Sequence, residues 1–133
     1  MPSGAVKTVF YSDFDFRFLP HPKTGALTIV KNAEAVTQAV KLLVLTQLQE
    51  RPFRPFVGST VRGSLFENFS SITKDKLEQG VKRAIENIEP RAVLLDVKAV
   101  QDIDSNALYV TIVYRPVNAT KPIEITFSLD KLR

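Results

Sequence analysis

Cysteine and tryptophan are absent from this chain of 133 residues, histidine and methionine occur once each, and there are five glycines. Without cysteine there can be no disulfide, thiolate metal site or cysteine nucleophile, which fits a chain kept in a reducing compartment. The single histidine, His21, stands between Pro20 and Pro22. A transition-metal site would therefore need carboxylates alone, and no such cluster is spelled out, so neither metal nor cofactor is expected. The glycines form no phosphate loop, Gly58-Ser59-Thr60 being too little for one. No nucleophile-elbow motif supports a serine triad. No apolar run approaches the roughly 20 residues of a membrane helix, and MPSGAVKTVFYSD has no signal-peptide core or cleavage site. The net charge is +4, but the basic residues are scattered, so no nucleic-acid partner is expected. A glycosidase would need two carboxylates across a sugar cleft. Glu67 and Glu89 are the nominees, yet Glu89 neighbours Arg91 and no tryptophan-lined cleft exists. A carboxylate paired with arginine is a poor proton donor. The expectation is a chain without catalytic residues.

What is present centres on Thr73 to Arg91, TKDKLEQGVKRAIENIEPR. Leu77, Val81, Ala84, Ile85 and Ile88 form one apolar stripe at helical spacing. Thr73 is the expected N-cap, and Asp75 places negative charge near the positive end of the helix dipole. Pro90 stops the helix and holds Glu89 and Arg91 on either side of a stiff turn. The stripe accounts for the helix; it does not account for Glu-Pro-Arg at its end.

The remaining chain reads as one domain, 1–133. Residues 1–9 look like a flexible arm. Over residues 10–30 an extended ribbon or hairpin is expected, because Phe14, Phe16 and Phe18 alternate with Asp13, Asp15 and Arg17 and Leu27–Val30 can return after a turn at His21–Gly25. Asn32 to Gln49 reads as a second helix with Asn32 as N-cap and Val36, Val40, Leu43, Val44 and Leu48 as its stripe. It leads into a stiff aromatic loop, Arg51-Pro52-Phe53-Arg54-Pro55-Phe56, and a short helical turn within Val61 to Asn68, all inside the segment 32–71. The segment 73–91 is the central helix. Over 92–130 three strands form an antiparallel meander. Val93, Leu95, Val97 and Ala99 are expected on one face of the first, Leu108, Val110, Ile112 and Tyr114 on one face of the second, and Ile123, Ile125, Phe127 and Leu129 on one face of the third. The fold class is α+β: two main helices on a three-stranded antiparallel sheet, with an N-terminal hairpin or ribbon.

The order of these blocks carries a resemblance. Tyr11-Ser12-Asp13-Phe14-Asp15, then Arg51-Pro52-Phe53, Leu65-Phe66-Glu67-Asn68 and Glu89-Pro90-Arg91, followed by three strands, resembles the baseplate wedge, or sheath-initiator, family of contractile phage tails. Type VI secretion systems hold a counterpart, and some members carry a lysozyme-like label that the residues here do not support. The likeness spans about Tyr11 to Leu129. It implies a structural virion protein, made in the host cytoplasm and placed in the tail baseplate in several copies around the tail axis. Implied partners are other wedge proteins, tube-proximal baseplate proteins and the sheath subunit, whose first ring such proteins template by sharing β-strands. The resemblance also implies that Glu89, Pro90 and Arg91 meet the wedge core bundle, with Arg51, Pro52, Phe53, Leu65, Phe66 and Glu67 as further partner contacts. The chain departs from the family where Arg54 occupies a position that is often acidic or amide, which removes any charge contact made by that loop in relatives. A soluble protein-binding adaptor on the same fold and a type VI baseplate component are the alternative readings.

Overall fold

The computed structural model describes residues 8–64 and 68–130. A short antiparallel pair comes first, β1 (Ser12–Phe14) with β2 (Ile29–Lys31). Helix α1 (Ala33–Leu45), the short α2 (Val61–Ser64) and helix α3 (Ser71–Ile88) follow. The meander β3 (Ala92–Asp102), β4 (Ala107–Pro116) and β5 (Ile123–Asp130) closes the chain, in spatial order β3-β4-β5. The architecture is α+β, as expected, with α1 and α3 laid over one face of the sheet. Most of the expected arm at 1–9, and Leu65, Phe66 and Glu67, lie outside the described residues.

The core joins Val36, Val40, Leu43 and Val44 of α1 to Leu77, Val81 and Ile85 of α3 and to Leu108, Val110, Ile112, Tyr114, Ile125 and Phe127 of the sheet. The apolar stripes of both helices and the alternations of β4 and β5 are thus buried as their periods require, except that Leu48 lies beyond the end of α1 and is exposed. Tyr114 is fully buried, and its hydroxyl is hydrogen-bonded to the Thr37 hydroxyl on α1. Burial pushes the Tyr114 phenol up from its ordinary value, and the bond to Thr37 opposes this.

Four local expectations are corrected. The α3 N-cap is Ser70, whose hydroxyl accepts the Thr73 amide at 3.3 Å; Thr73 lies inside the first turn, its own hydroxyl donating to the Asn68 carbonyl. Asn32 does not cap α1 with its side chain. Its Oδ1 accepts the Phe10 amide at 2.8 Å and its Nδ2 donates to the Thr8 carbonyl at 3.0 Å, so it fastens the N-terminal segment instead. Helix α1 ends at Leu45 rather than Gln49, because the returning loop docks on its end: Ser59 Oγ donates to the Val44 carbonyl and Ser59 N to the Thr46 carbonyl. Gly58 makes this possible, since its φ is +139° and a Cβ there would lie 2.7 Å from the Thr46 carbonyl oxygen.

The fourth correction concerns β3. The register between β3 and β4 shifts between Leu94 and Asp96, leaving Leu95 as the extra residue of a bulge. A bulge inverts the side-chain phase, so Ala92 and Leu94 before it and Val97 and Ala99 after it face the core. Val93 and Leu95 are exposed, not aligned with Val97 and Ala99 as strict alternation predicts.

Candidate functional site

The turn from α3 to β3 is built by three residues. Glu89 closes the helix, its amide donating to the Ile85 carbonyl at 2.9 Å while its own carbonyl accepts the Ala92 amide at 3.2 Å. Pro90 is exposed at the corner. The Arg91 carbonyl accepts the Val117 amide, tying the corner to the β4–β5 turn.

Both oxygens of Glu89 are held by one guanidinium: Arg91 Nε donates to Oε1 at 2.6 Å and Nη2 to Oε2 at 2.9 Å. The Glu89 side chain is 9% exposed and that of Arg91 30%. This is a fork-to-fork pair in a half-dry setting, stronger than a surface ion pair. The bond from Glu89 holds the Arg91 guanidinium above its ordinary value, although burial opposes this, so the cation persists throughout the accessible pH range. The Tyr11 ring lies under the guanidinium, 5.3 Å from the ring centroid to Cζ, in cation–π contact. Asn118 Nδ2 donates to the Tyr11 hydroxyl at 3.3 Å. Tyr11 also lines an open groove of about 770 Å³ with Phe10, Asn32, Glu34, Pro116 and Asn118. Sequence reasoning placed Tyr11 only in a motif, 80 positions from Arg91; no local signal announces that the two meet.

The expected contact residues thus separate. Glu89 points inward, Pro90 and one edge of Arg91 point outward, and no partner among the described residues takes Arg91 Nη1. Arg51, Pro52 and Phe53 are distant in sequence from this corner and exposed. Their loop is nonetheless ordered by its own backbone. Gln49 N donates to the Pro55 carbonyl, Arg54 N to that of Arg51 and Val57 N to that of Arg54, while Glu50 Oε2 accepts the Gln47 amide. At its tip Phe53 takes a left-handed φ of 65° and is 100% exposed. A bulky residue held in that conformation marks a site the surrounding loop over-determines.

Glu89, nominated as a glycosidase carboxylate, is buried with both oxygens occupied, so it presents no group to a cleft. Among the described residues no group of three or more His, Cys, Asp or Glu could hold a metal ion, and no helix is long and apolar enough to cross a membrane.

Residues 30–120 match the family of baseplate wedge protein gp25. The chain is 32% identical over 82 residues to baseplate wedge protein gp25 of Enterobacteria phage T4, a stretch that covers 62% of this chain and 62% of that protein. Three solved structures share the fold. A candidate tail lysozyme of Geobacter sulfurreducens superposes with a TM-score of 0.67 at 24% identity, over 75% of this chain and 91% of that one. A chain of the anti-feeding prophage baseplate gives 0.63 at 23%, over 89% and 83%. A chain of the post-contraction pyocin R2 baseplate gives 0.56 at 19%, over 90% and 98%. The ordered motifs, the α+β meander and the matched span agree: the chain belongs to the gp25 family of baseplate wedge proteins.

Proposed function

We propose that the chain is a structural wedge protein of a contractile-tail baseplate, present in several copies around the tail axis, and that it works without catalysis. The observation that carries this is the family match over residues 30–120, joined to a fully exposed Phe53 on a loop tied by its own backbone hydrogen bonds. Pro90 and the free edge of Arg91 meet one wedge partner, with Glu89 positioning the guanidinium from behind. Phe53, presented by a pre-ordered loop, enters a pocket on another; such rigid aromatic anchors lose little entropy on docking. The sheet then adds a strand from the sheath subunit and so starts the first sheath ring.

The test must respect the burial of Glu89. Arg91→Ala leaves a buried carboxylate unpaired and is expected to cost about 2–3 kcal/mol of stability, below the figure for a fully buried pair. The cleaner surface probe is Phe53→Ala. Its Tm should stay within about 2 °C of the parent, because the ring touches nothing, while incorporation into purified particles falls at least about tenfold. Full incorporation of Phe53→Ala together with Arg91→Lys, which keeps the charge and loses the fork, would overturn the contact assignment. Finding the chain in complex with a signalling or protease-adaptor protein, and not in tail particles, would overturn the wedge role.

A further inference from the structure

Residues 8–11 run ahead of β1, and one residue, Asn32, fastens them. Its Oδ1 accepts the Phe10 amide at 2.8 Å and the Tyr11 amide at 3.4 Å, and its Nδ2 donates to the Thr8 carbonyl at 3.0 Å. Its own amide donates to the Tyr11 carbonyl at 2.7 Å. To do this Asn32 gives up capping α1 with its side chain and takes a φ of 52°, a region that asparagine tolerates better than most residues but still at a cost. A helix cap and an unstrained backbone are thus forgone at one position. What they secure is the placement of Tyr11.

Tyr11 is fixed from three directions. Its backbone is tied to Asn32, its ring rests on the edge of the core, and its hydroxyl accepts Asn118 Nδ2 at 3.3 Å. Asn118 belongs to the turn whose Val117 amide donates to the Arg91 carbonyl at 2.9 Å. One turn therefore registers both the Tyr11 ring and the Arg91 backbone, and the ring centroid lies 5.3 Å from Arg91 Cζ. The Glu89 fork sets the separation and the in-plane heading of the guanidinium. A fork alone leaves the guanidinium plane free to rock about the line joining the two groups. A rigid ring against the cation restricts that motion, and its attraction for the charge adds to the hold.

We infer that Tyr11 is a positioning residue for the Glu-Pro-Arg corner: it sets the direction of the outward Arg91 Nη1 donors, and Asn32 is the fastening on which that direction depends. This rests on the reading of the corner as a partner contact and adds to it a segment from the other end of the chain. The partner group so addressed is an oxygen acceptor, a carboxylate or a backbone carbonyl, because a guanidinium only donates. Donors ordered in advance lower the cost of docking, so loosening Tyr11 weakens assembly even with Arg91 intact.

The Arg91 Nε–H resonance of the full chain in solution reads this hold directly. Tyr11→Leu keeps apolar bulk and loses the ring; Asn32→Gly accepts the positive φ and loses the side-chain bonds. Each should raise solvent exchange of that N–H about tenfold or more, while Tm falls by only a few degrees. Incorporation into purified particles should fall about fivefold or more in both. Tyr11→Phe keeps the ring and loses only the bond from Asn118, so it should match the parent in exchange and in incorporation. Unchanged Arg91 exchange in Tyr11→Leu and Asn32→Gly overturns the positioning role, even where incorporation falls. Quickened exchange with full incorporation overturns its bearing on assembly. Loss of incorporation in Arg91→Lys, with Tyr11→Leu and Asn32→Gly unaffected, leaves the corner contact standing and overturns this inference alone. Full incorporation of Arg91→Lys removes the corner contact and this inference with it.

Discussion

Phe14, Phe16 and Phe18 near the N-terminus and Ile123, Ile125, Phe127 and Leu129 in β5 spell one pattern, an apolar residue at every second position. The protein treats them oppositely. Ile125 and Phe127 are buried, whereas the three phenylalanines are 56%, 48% and 68% exposed. The difference lies in what satisfies the backbone. β5 pairs with β4 along its whole length, so its apolar face is carried onto the helices. The ribbon pairs regularly for only three residues, with an Asp15–Thr28 backbone bond and one isolated bridge, Pro20–Leu27, beyond them. Gln38 of α1 holds the outer side of the same segment, its Nε2 donating to the Phe14 carbonyl at 2.6 Å and its Oε1 accepting the Phe16 amide at 3.1 Å. The buried Asp15 accepts from the Arg17 amide and guanidinium. Polar side chains hold the ribbon to α1, and the rings are left outside. Alternation announces that a segment has two faces; it does not say which one is dry.

This contrast can be broken in three ways. The largest effect should come from the sheet: Ile112→Ala in β4 is expected to cost about 2–5 kcal/mol in denaturant unfolding, whereas Phe16→Ala should fall within about 0.5 kcal/mol of the parent. Equal costs would mean that the ribbon is packed after all. Next, Gln38→Ala strips one donor and one acceptor from the ribbon backbone and should cost about 1–3 kcal/mol. The loss should appear as faster amide exchange at Phe14–Arg17 with β5 unaffected, and an equal change in both regions would show that the ribbon is no separate unit.

The smallest effect is pH-dependent. The bond from Arg17 holds the Asp15 carboxyl below its ordinary value. On folding this group gives up its proton more readily, so its contribution is complete above the unfolded carboxylate value of about 3.9 and is lost as pH falls through the lower folded one. Amide spectra should show the ribbon loosening on acidification before β4 and β5 change. Tyr114, whose phenol is raised by burial, gives the mirror image: the sheet's contribution from this group is lost as pH climbs through the phenol range near ~10.

Other readings divide along the same line. The stripes of α1 and α3 were legible because a helix buried on one side must repeat its apolar residues, and Leu77, Val81 and Ile85 do so without interruption. The N-cap moved from Thr73 to Ser70 because adjacent hydroxyl residues compete for one role, and only the preceding chain path, not propensity, chooses between them. The bulge at Leu95 was illegible since both Leu94 and Leu95 are apolar, leaving the sequence neutral about which faces inward. At the candidate site, the stop at Pro90 and the pairing of Glu89 with Arg91 could be expected from adjacency. That Glu89 would be buried, and that Tyr11 would lie beneath the guanidinium, depended on two segments converging from opposite ends of the chain.

By itself, then, the sequence determined the number and kind of elements, the stop at Pro90, the absence of thiol chemistry and the family blocks in their order, because each depends on neighbours within a few positions. Tertiary structure alone decided which alternating face is wet, which carboxylate is buried and which ring lies beneath the Arg91 guanidinium. Those outcomes depend on what packs or bonds across the fold, and a linear pattern carries no record of the partner that will arrive there.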